Sequence, residues 1–301
     1  MNNTLPEHIL VTKEQCNQGG AGMAELYKKF YFERKEKYPV EGELSGKAEF
    51  AVRSLIDNGY AVVRGAIETE KINALKDELA SLIGQSKFLG QNNEYFIQIN
   101  QPMLRSKCAF DLAFSSIVRE ISTGYYGVVP SIGTTNLRRS LVNVKKDHNF
   151  NKHGNLFFHY DNNSPWFLKF FFYLNDVELS DGPFVYVQGS HREKIKHWWR
   201  SKRYSDEMVE SLYGTDRIKY LTAKAGDLIV ANTRGIHKGL KTVNNHRDML
   251  TVNLVMHPEI SSSRWTKITD DHPPGAQSVS KEWVEALPEE AKPFADYLIK
   301  K

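Results

Sequence analysis

Leu168-Lys169-Phe170-Phe171-Phe172-Tyr173-Leu174-Asn175-Asp176-Val177 opens with seven residues of which six are apolar. Successive side chains of an extended chain point to opposite faces, so a run apolar at both parities belongs to a strand covered on both sides, in the middle of a sheet. Ser180-Asp181-Gly182-Pro183 follows as a tight turn by composition. Outward from there the period-two pattern runs from Ile132 to His257, with one helical insertion between about Glu193 and Tyr213. The predicted strands are Thr135–Val144, Leu156–Asp161, Phe167–Asn175, Phe184–Gln188, Arg217–Thr222, Asp227–Asn232 and Arg247–Met256. Many short strands punctuated by Gly, Pro, Asn and Asp predict a mainly β fold with flanking helices. Its core should be a sandwich or double-sheet jelly roll, because βαβ units would need regularly interleaved helices.

The preceding part reads as scaffold. Ala21–Lys37 and Lys47–Asn58 have helical apolar spacing, and Gly59 stands where the second helix should end. Tyr60–Gly65 reads as a strand, Thr69 as the N-cap of a helix through Leu82, Glu94–Asn100 as a strand, and Pro102–Tyr126 as one or two helices. Lys281–Lys301 is a helix expected to break at Pro288 and Pro293. We expect a single domain over 1–301, with a scaffold at 1–130, a catalytic core at 131–257 and a helical extension at 258–301.

Composition narrows the function classes. The chain of 301 residues is 41% hydrophobic, 25% charged and 12% aromatic, which fits a globular protein and excludes a disordered one. No window has the apolar length of a membrane span, and Met1–Thr12 lacks the basic-then-apolar order of a signal peptide, so a cytoplasmic location without membrane association is expected. Cys16 and Cys108 are far apart and outside any CxxC pair, which argues against a disulfide framework or a zinc ribbon. The net charge of +4 is small and its lysines and arginines are scattered, so we expect no nucleic-acid partner. A mildly anionic small substrate is compatible, and the oligomeric state is left open.

The chemistry is expected at His159 and Asp161. Two apart on one strand, they share a face and could give an imidazole nitrogen and a carboxylate oxygen to a metal, two of the three ligands of a 2-His-1-carboxylate site. Spacing alone does not single them out: His246/Asp248, His191/Glu193 and His257/Glu259 repeat it. The surroundings do. His159-Tyr160-Asp161 is followed in order by the Leu174-Asn175-Asp176-Val177 strand end, Asp181-Gly182-Pro183, Gly189-Ser190-His191, Ala225-Gly226-Asp227, His237 and Arg247. That ordered set resembles the phytanoyl-CoA dioxygenase (PhyH-like) family of Fe(II)/2-oxoglutarate-dependent oxygenases, over about Thr135 to Met256. Asn58-Gly59-Tyr60-Ala61-Val62-Val63-Arg64-Gly65 also looks like the family's first strand.

The resemblance implies a double-stranded β-helix, cupin-like core in which His159, Asp161 and His237 hold Fe(II). It further implies that 2-oxoglutarate, as co-substrate, chelates the iron through its 2-oxo acid and extends its far carboxylate to Arg247, a permanently charged group suited to bidentate pairing. With O2 bound, 2-oxoglutarate goes to succinate and CO2 and an unactivated C–H of the substrate is hydroxylated. Halogenating relatives replace the carboxylate ligand by a small residue, so Asp161 favours hydroxylation. The chain departs from the family's pattern at Gln188-Gly189-Ser190-His191, where relatives carry Pro-Gly-Ser-His, and at Gly239, where some place a hydroxyl near the co-substrate carboxylate. Lys169 and Thr251 are candidates to replace that hydroxyl.

Other residues carry weaker expectations. Asn162, Asn163 and Trp166 fall at the barrel mouth by position and could touch substrate. Of Arg138 and Arg139, neighbours on one predicted strand, one should face inward, where it could bind an anionic substrate or form a core salt bridge. Trp198-Trp199 could wall the substrate or simply pack, whereas His191 and His197 read as structural. Two rival classes stay open: a catalytically silent jelly-roll small-molecule binding protein, and a zinc hydrolase, which would leave Arg247 without a purpose.

Overall fold

A computed structural model describes residues 5–9, 20–83, 96–142, 156–161, 166–193, 203–255 and 279–296. Two antiparallel sheets face each other. The larger has strand order β1-β7-β4-β9-β3-β2, from β1 (Tyr60–Val63), β2 (Phe96–Asn100), β3 (Ser131–Ser140), β4 (Phe167–Tyr173), β7 (Leu228–Asn232) and β9 (Arg247–Val255). The smaller contains β5 (Phe184–Val187), β6 (Ile218–Leu221) and β8 (His237–Gly239) in the order β6-β5-β8. Bridges between His159 and His237 and between Phe158 and Tyr204 extend it. This is the expected jelly roll, with helices against the outside of the large sheet.

The double apolar pattern of β4 has two explanations, one for each face. Leu168, Phe170 and Phe172 point to the helices, in a core with Leu55 of α2 (Gly46–Asn58), Leu75 of α3 (Thr69–Ile83) and Phe110 of α4 (Lys107–Ala113). Phe171 and Tyr173 point between the sheets, packing with Ile229, Ala231 and Met249 of the large sheet and Phe184, Tyr186 and Leu221 of the small one. Fully burying a phenylalanine contributes about 1.5–3 kcal/mol, so both faces hold β4 in the centre.

Helix ends follow their local chemistry. Ser45 caps α2 by accepting from the Ala48 N–H, and Gly59, at φ 86°, ends it by donating to the Leu55 carbonyl. That left-handed turn starts β1 directly, since the Asn232 N–H donates to the Gly59 carbonyl. The predicted Pro102–Tyr126 helices become a 3-10 turn (Pro102–Leu104), α4 and α5 (Ser116–Tyr126). Near the C-terminus the helix is Lys281–Glu285, followed after Pro288 by a 3-10 helix at Glu289–Ala295, so the break falls at the first of the two prolines. The helical insertion is represented by α6 (Asp206–Tyr213).

Two strand expectations need correction. β3 begins at Ser131, four residues before the predicted start, and an irregularity between Ile132 and Thr135 masks its alternation. Leu156–Asp161, expected as a strand, forms only isolated bridges at Phe158 and His159, and its partner His237–Gly239, to which the sequence reading assigned no element, is a strand held to β5 and to His159. Among the described residues no helix is long and apolar enough to cross a membrane.

Candidate metal centre

His159 and His237 come from chain segments far apart in sequence, and the backbone brings them side by side. Their peptides exchange hydrogen bonds of 2.9 and 2.8 Å, placing the ring centroids 4.3 Å apart. The Asp161 N–H donates to the Thr233 carbonyl at 2.8 Å, which anchors the carboxylate-bearing end of the same segment. One ligand atom from each of His159, Asp161 and His237 then lies within 4.8 Å of the others.

The ring orientations suit a metal. Each Nδ1–H donates to the carbonyl two residues back, Phe157 for His159 and Gly235 for His237, both at 2.8 Å. That leaves each Nε2 as the lone-pair nitrogen, the arrangement a ligating imidazole needs. Burial pushes the His237 imidazolium down to about 3, helped by His159, and burial lowers His159 in the same direction. Burial alone would raise the Asp161 carboxyl, yet the Lys169 ammonium and the two imidazoles bring it well below the usual carboxylate range. Neutral histidines beside an ionised carboxylate form a donor set ready for a divalent cation, so the residues fit the iron that the sequence implies.

Lys169 is the residue whose expected place changes. It is the one charged side chain on the inner face of β4, and its Nζ stands 2.8 Å from Asp161 Oδ2. Asn253 opposes it on β9, and Arg247 is six positions back along that strand, roughly 20 Å of extended chain. The lysine therefore serves the carboxylate of the candidate metal centre and does not assist Arg247.

Arg247 itself is buried, its Nη1 donating to the Gly182 carbonyl and its Nη2 to Ser140 Oγ at 3.3 Å. Its Nε is buried without a partner, and no carboxylate of the described residues pairs with it. Ser140, opposite Arg247 across the β3–β9 ladder, supplies a hydroxyl close to the guanidinium, which the sequence reading sought in Thr251 or Lys169. Thr251 is 8% exposed on the same face of β9, four positions from Arg247 toward Lys169. Phe184 closes one side of the centre, its ring 5.3 Å from that of His237 and 4.7 Å from that of Phe171.

Arg138 faces inward, beside Met249 and diagonal to Arg247 in the register, and Arg139 faces outward onto Asp248. Inward with Arg138 come Gln98 and Asn100 of β2, Asn136 and Ser140 of β3, and Thr251 and Asn253 of β9. Sequence reading missed the polar residues of this strip apart from Arg138 and Thr251. Their alternation is visible in β2, but which strand lies beside β3 is not.

Trp166 is a correction. It shares the parity of Leu168 and so points to the helices, where its indole N–H donates to the Ile9 carbonyl at 2.8 Å and its rings meet Tyr27 and Tyr31. At 3% exposed, it cannot touch a substrate at the barrel mouth. His191 is structural as expected, its Nε2–H donating to the Ile56 carbonyl at 3.3 Å. Asn162, Asn163, His197, Trp198 and Trp199 lie outside the described residues.

Comparison with known proteins gives the same picture. The epimerase SnoN, solved with Fe3+, alpha-ketoglutarate and nogalamycin RO, matches with a TM-score of 0.57 at 14% identity, covering 70% of this chain and 84% of that one. EctD from S. alaskensis, solved with 2-oxoglutarate and 5-hydroxyectoine, gives 0.56 at 16% identity over 71% and 79% of the two chains. HygX from Streptomyces hygroscopicus, solved with nickel and 2-oxoglutarate, gives 0.52 at 15% over 70% and 87%. At such identities the likeness is one of fold. No curated protein matches the chain in sequence. The family model described as phytanoyl-CoA dioxygenase (PhyH) matches residues 55–248, a span that begins in α2 and ends just past Arg247. The chain therefore belongs to the phytanoyl-CoA dioxygenase (PhyH) family.

Proposed function

We propose that this protein is a non-haem Fe(II)/2-oxoglutarate-dependent dioxygenase that hydroxylates an unactivated C–H of a small molecule, with 2-oxoglutarate and O2 converted to succinate and CO2. One observation carries the reading. A neutral-imidazole, ionised-carboxylate donor set and a buried guanidinium that no carboxylate of the described residues pairs with share the space between the sheets.

His159, Asp161 and His237 would hold the iron, which when bound supplies activation of O2 coupled to oxidation of 2-oxoglutarate. Both histidines reach this task already deprotonated at Nε2, so ligation requires no proton to leave them. Arg247 would receive the far carboxylate of 2-oxoglutarate, with the Ser140 hydroxyl beside it and Thr251 lining the path between. A charge-assisted, bidentate pair in a water-poor site is the strong form of this contact. Phe171 and Phe184 exclude water from the flank of His237. The Asp161 carboxylate supports hydroxylation, because a residue that leaves a ligand position to a halide is absent there. A zinc hydrolase would leave the buried Arg247 charge without a role. Ferrous chemistry also suits the reducing cytoplasm expected from the sequence.

Anaerobic addition of Fe(II) and 2-oxoglutarate should produce a visible charge-transfer band, and aerobic incubation should release succinate. If neither occurs, the alternative of a catalytically silent jelly-roll binding protein replaces this reading.

A further inference from the structure

Asp161, Lys169, Arg138 and Arg247 are charged side chains of the described residues that face the space between the sheets, and Arg203 acts electrostatically on His159 from nearby. Lys169 and Asp161 compensate each other at 2.8 Å. Arg247 and Arg138 remain, diagonal neighbours across the β3–β9 ladder, about 7–8 Å apart at the backbone. Neither meets a carboxylate. Resting on the function proposed above, the far carboxylate of 2-oxoglutarate satisfies Arg247 and its other carboxylate belongs at the metal. Arg138 is left over.

Its surroundings show that the charge is held in place. Arg138 Nε donates to Gln98 Oε1 at 2.9 Å and Nη2 donates to the same oxygen. Gln98 Nε2 in turn donates to Asn100 Oδ1 at 2.6 Å, which fixes the amide so that its oxygen faces the arginine. The Phe96 ring lies 4.1 Å beneath the guanidinium carbon, a stacking that orients the plane. Gln98 is 8% exposed, and its neutral amide orients the guanidinium without compensating its charge. Burial, together with repulsion from Arg247, pushes the Arg138 guanidinium down to about 10, so it stays charged at neutral pH. A guanidinium held by one edge keeps its remaining N–H donors for a ligand. Beside it stand Asn136, two residues away on β3, and Thr251, diagonal to it on β9. Neutral hydrogen-bonding groups around one fixed cation recognise an oxyanion that carries further polar groups.

We propose that Arg138, oriented by Gln98 and Phe96, is the specificity-determining anchor for an oxyanion, carboxylate or phosphate, of the primary substrate. The enzyme would then accept anionic substrates and discriminate against their neutral counterparts.

The test uses the full chain loaded with Mn(II) and N-oxalylglycine, which occupy the metal and co-substrate positions, and reads saturation transfer to three probes: hexanoate, hexyl phosphate and hexanol. Expected is transfer to one or both anions, the stronger naming the source, and none to hexanol. Arg138→Gln should lower the anion signal about tenfold, equivalent to about 1.4 kcal/mol, and Arg138→Lys should restore most of it. Gln98→Leu should weaken the anion with charge retained, which controls for misfolding of the Gln variant. N-oxalylglycine affinity, measured separately by calorimetry, should be unchanged in Arg138→Gln and fall in Arg247→Gln. The proposal is overturned if hexanol binds as well as the anions, or if Arg138→Gln loses N-oxalylglycine as Arg247→Gln does, since Arg138 would then be a second arm of the co-substrate site. If wild type binds no N-oxalylglycine, the dioxygenase reading fails. The probes, read on the unloaded Arg247→Gln protein, then decide Arg138 on their own, with Arg138-dependent anion binding supporting the assignment and its absence overturning it.

Discussion

Lys169→Met should make the metal-free protein less stable and its metal binding tighter. The ammonium is 2.8 Å from Asp161 Oδ2, and the two side chains are 18% and 16% exposed. Removing one partner of a buried pair costs about 3–5 kcal/mol, because the other charge is left uncompensated. The residual exposure of both groups lets water take over part of that role, so we expect a loss of about 2 kcal/mol, or roughly 3 °C in Tm. For the metal the sign reverses. A divalent cation and the ammonium attract the same carboxylate and repel each other. Two units of charge against one at about 5 Å in an effective dielectric of about 20 give several kcal/mol of repulsion. Relaxation and displacement of the flexible lysine reduce this, and we expect Mn(II) affinity to rise at least about tenfold. Thermal melts of the metal-free variant and calorimetric Mn(II) titration separate the two effects, and the Tm gain on saturating Mn(II) should exceed that of wild type. The reasoning fails if Mn(II) binds more weakly in the variant, because Lys169 would then be an orienting arm that the ligand set needs.

The other expectations are simpler. His237→Gln should abolish Co(II) and Mn(II) binding by calorimetry and leave a folded protein, since the backbone bonds to His159 do not depend on the ring. Gly235→Ala should destabilise by about 2–3 kcal/mol in urea melts. Its Cβ would fall on the Tyr186 hydroxyl, which donates to the Asn232 carbonyl at 2.7 Å, and close to Ser190 Oγ, which accepts from the Ile236 N–H at 2.8 Å, two residues from a metal ligand. Phe172→Ala empties a fully buried site in β4 and should cost about 3–5 kcal/mol by the same measurement. Acid should destabilise the protein between pH 6.5 and pH 4. Burial lowers His191 from its ordinary 6.5 to about 4, so in that window the unfolded chain binds the extra proton and stability falls as pH falls. His191→Gln should flatten the stability–pH slope by at most about 3 kcal/mol across the window, and an unchanged slope would assign the acid sensitivity to His159 and His237 instead.

How far the sequence carried can be traced in β4. Its apolar run placed it at the centre of a sheet, and its parity already divided it. Trp166 goes with Leu168 and Phe170, so its burial beneath Tyr27 and Tyr31 was readable from alternation. Position near Asp161 in the chain suggested the opposite and was the weaker argument. Lys169 has the parity of Phe171 and Tyr173, so an inward lysine was also readable, but its carboxylate was not. Asp161 reaches it because the His159 segment pairs with β8, a strand of three residues, too short to leave a periodic signal. The metal ligands were found through the order of motifs, which does not require knowing that pairing.

The polar strip around Arg138 illustrates the remaining limit. Gln98 and Asn100 alternate visibly in β2, and Asn136 and Arg138 in β3, yet each pattern alone suits a solvent-facing edge. Only the register, Gln98 opposite Arg138 and Asn100 opposite Asn136, places them on one inner face with Thr251 and Asn253. Non-local antiparallel pairing is set by side-chain packing across the sheet and by the turns that join it, and neither is local in sequence. The division has a chemical counterpart. The residues implied by the family resemblance serve the metal and Arg247, and they were legible in order along the chain. The residues of the strip are those that could distinguish one substrate from another, and they become a group only when the sheet assembles.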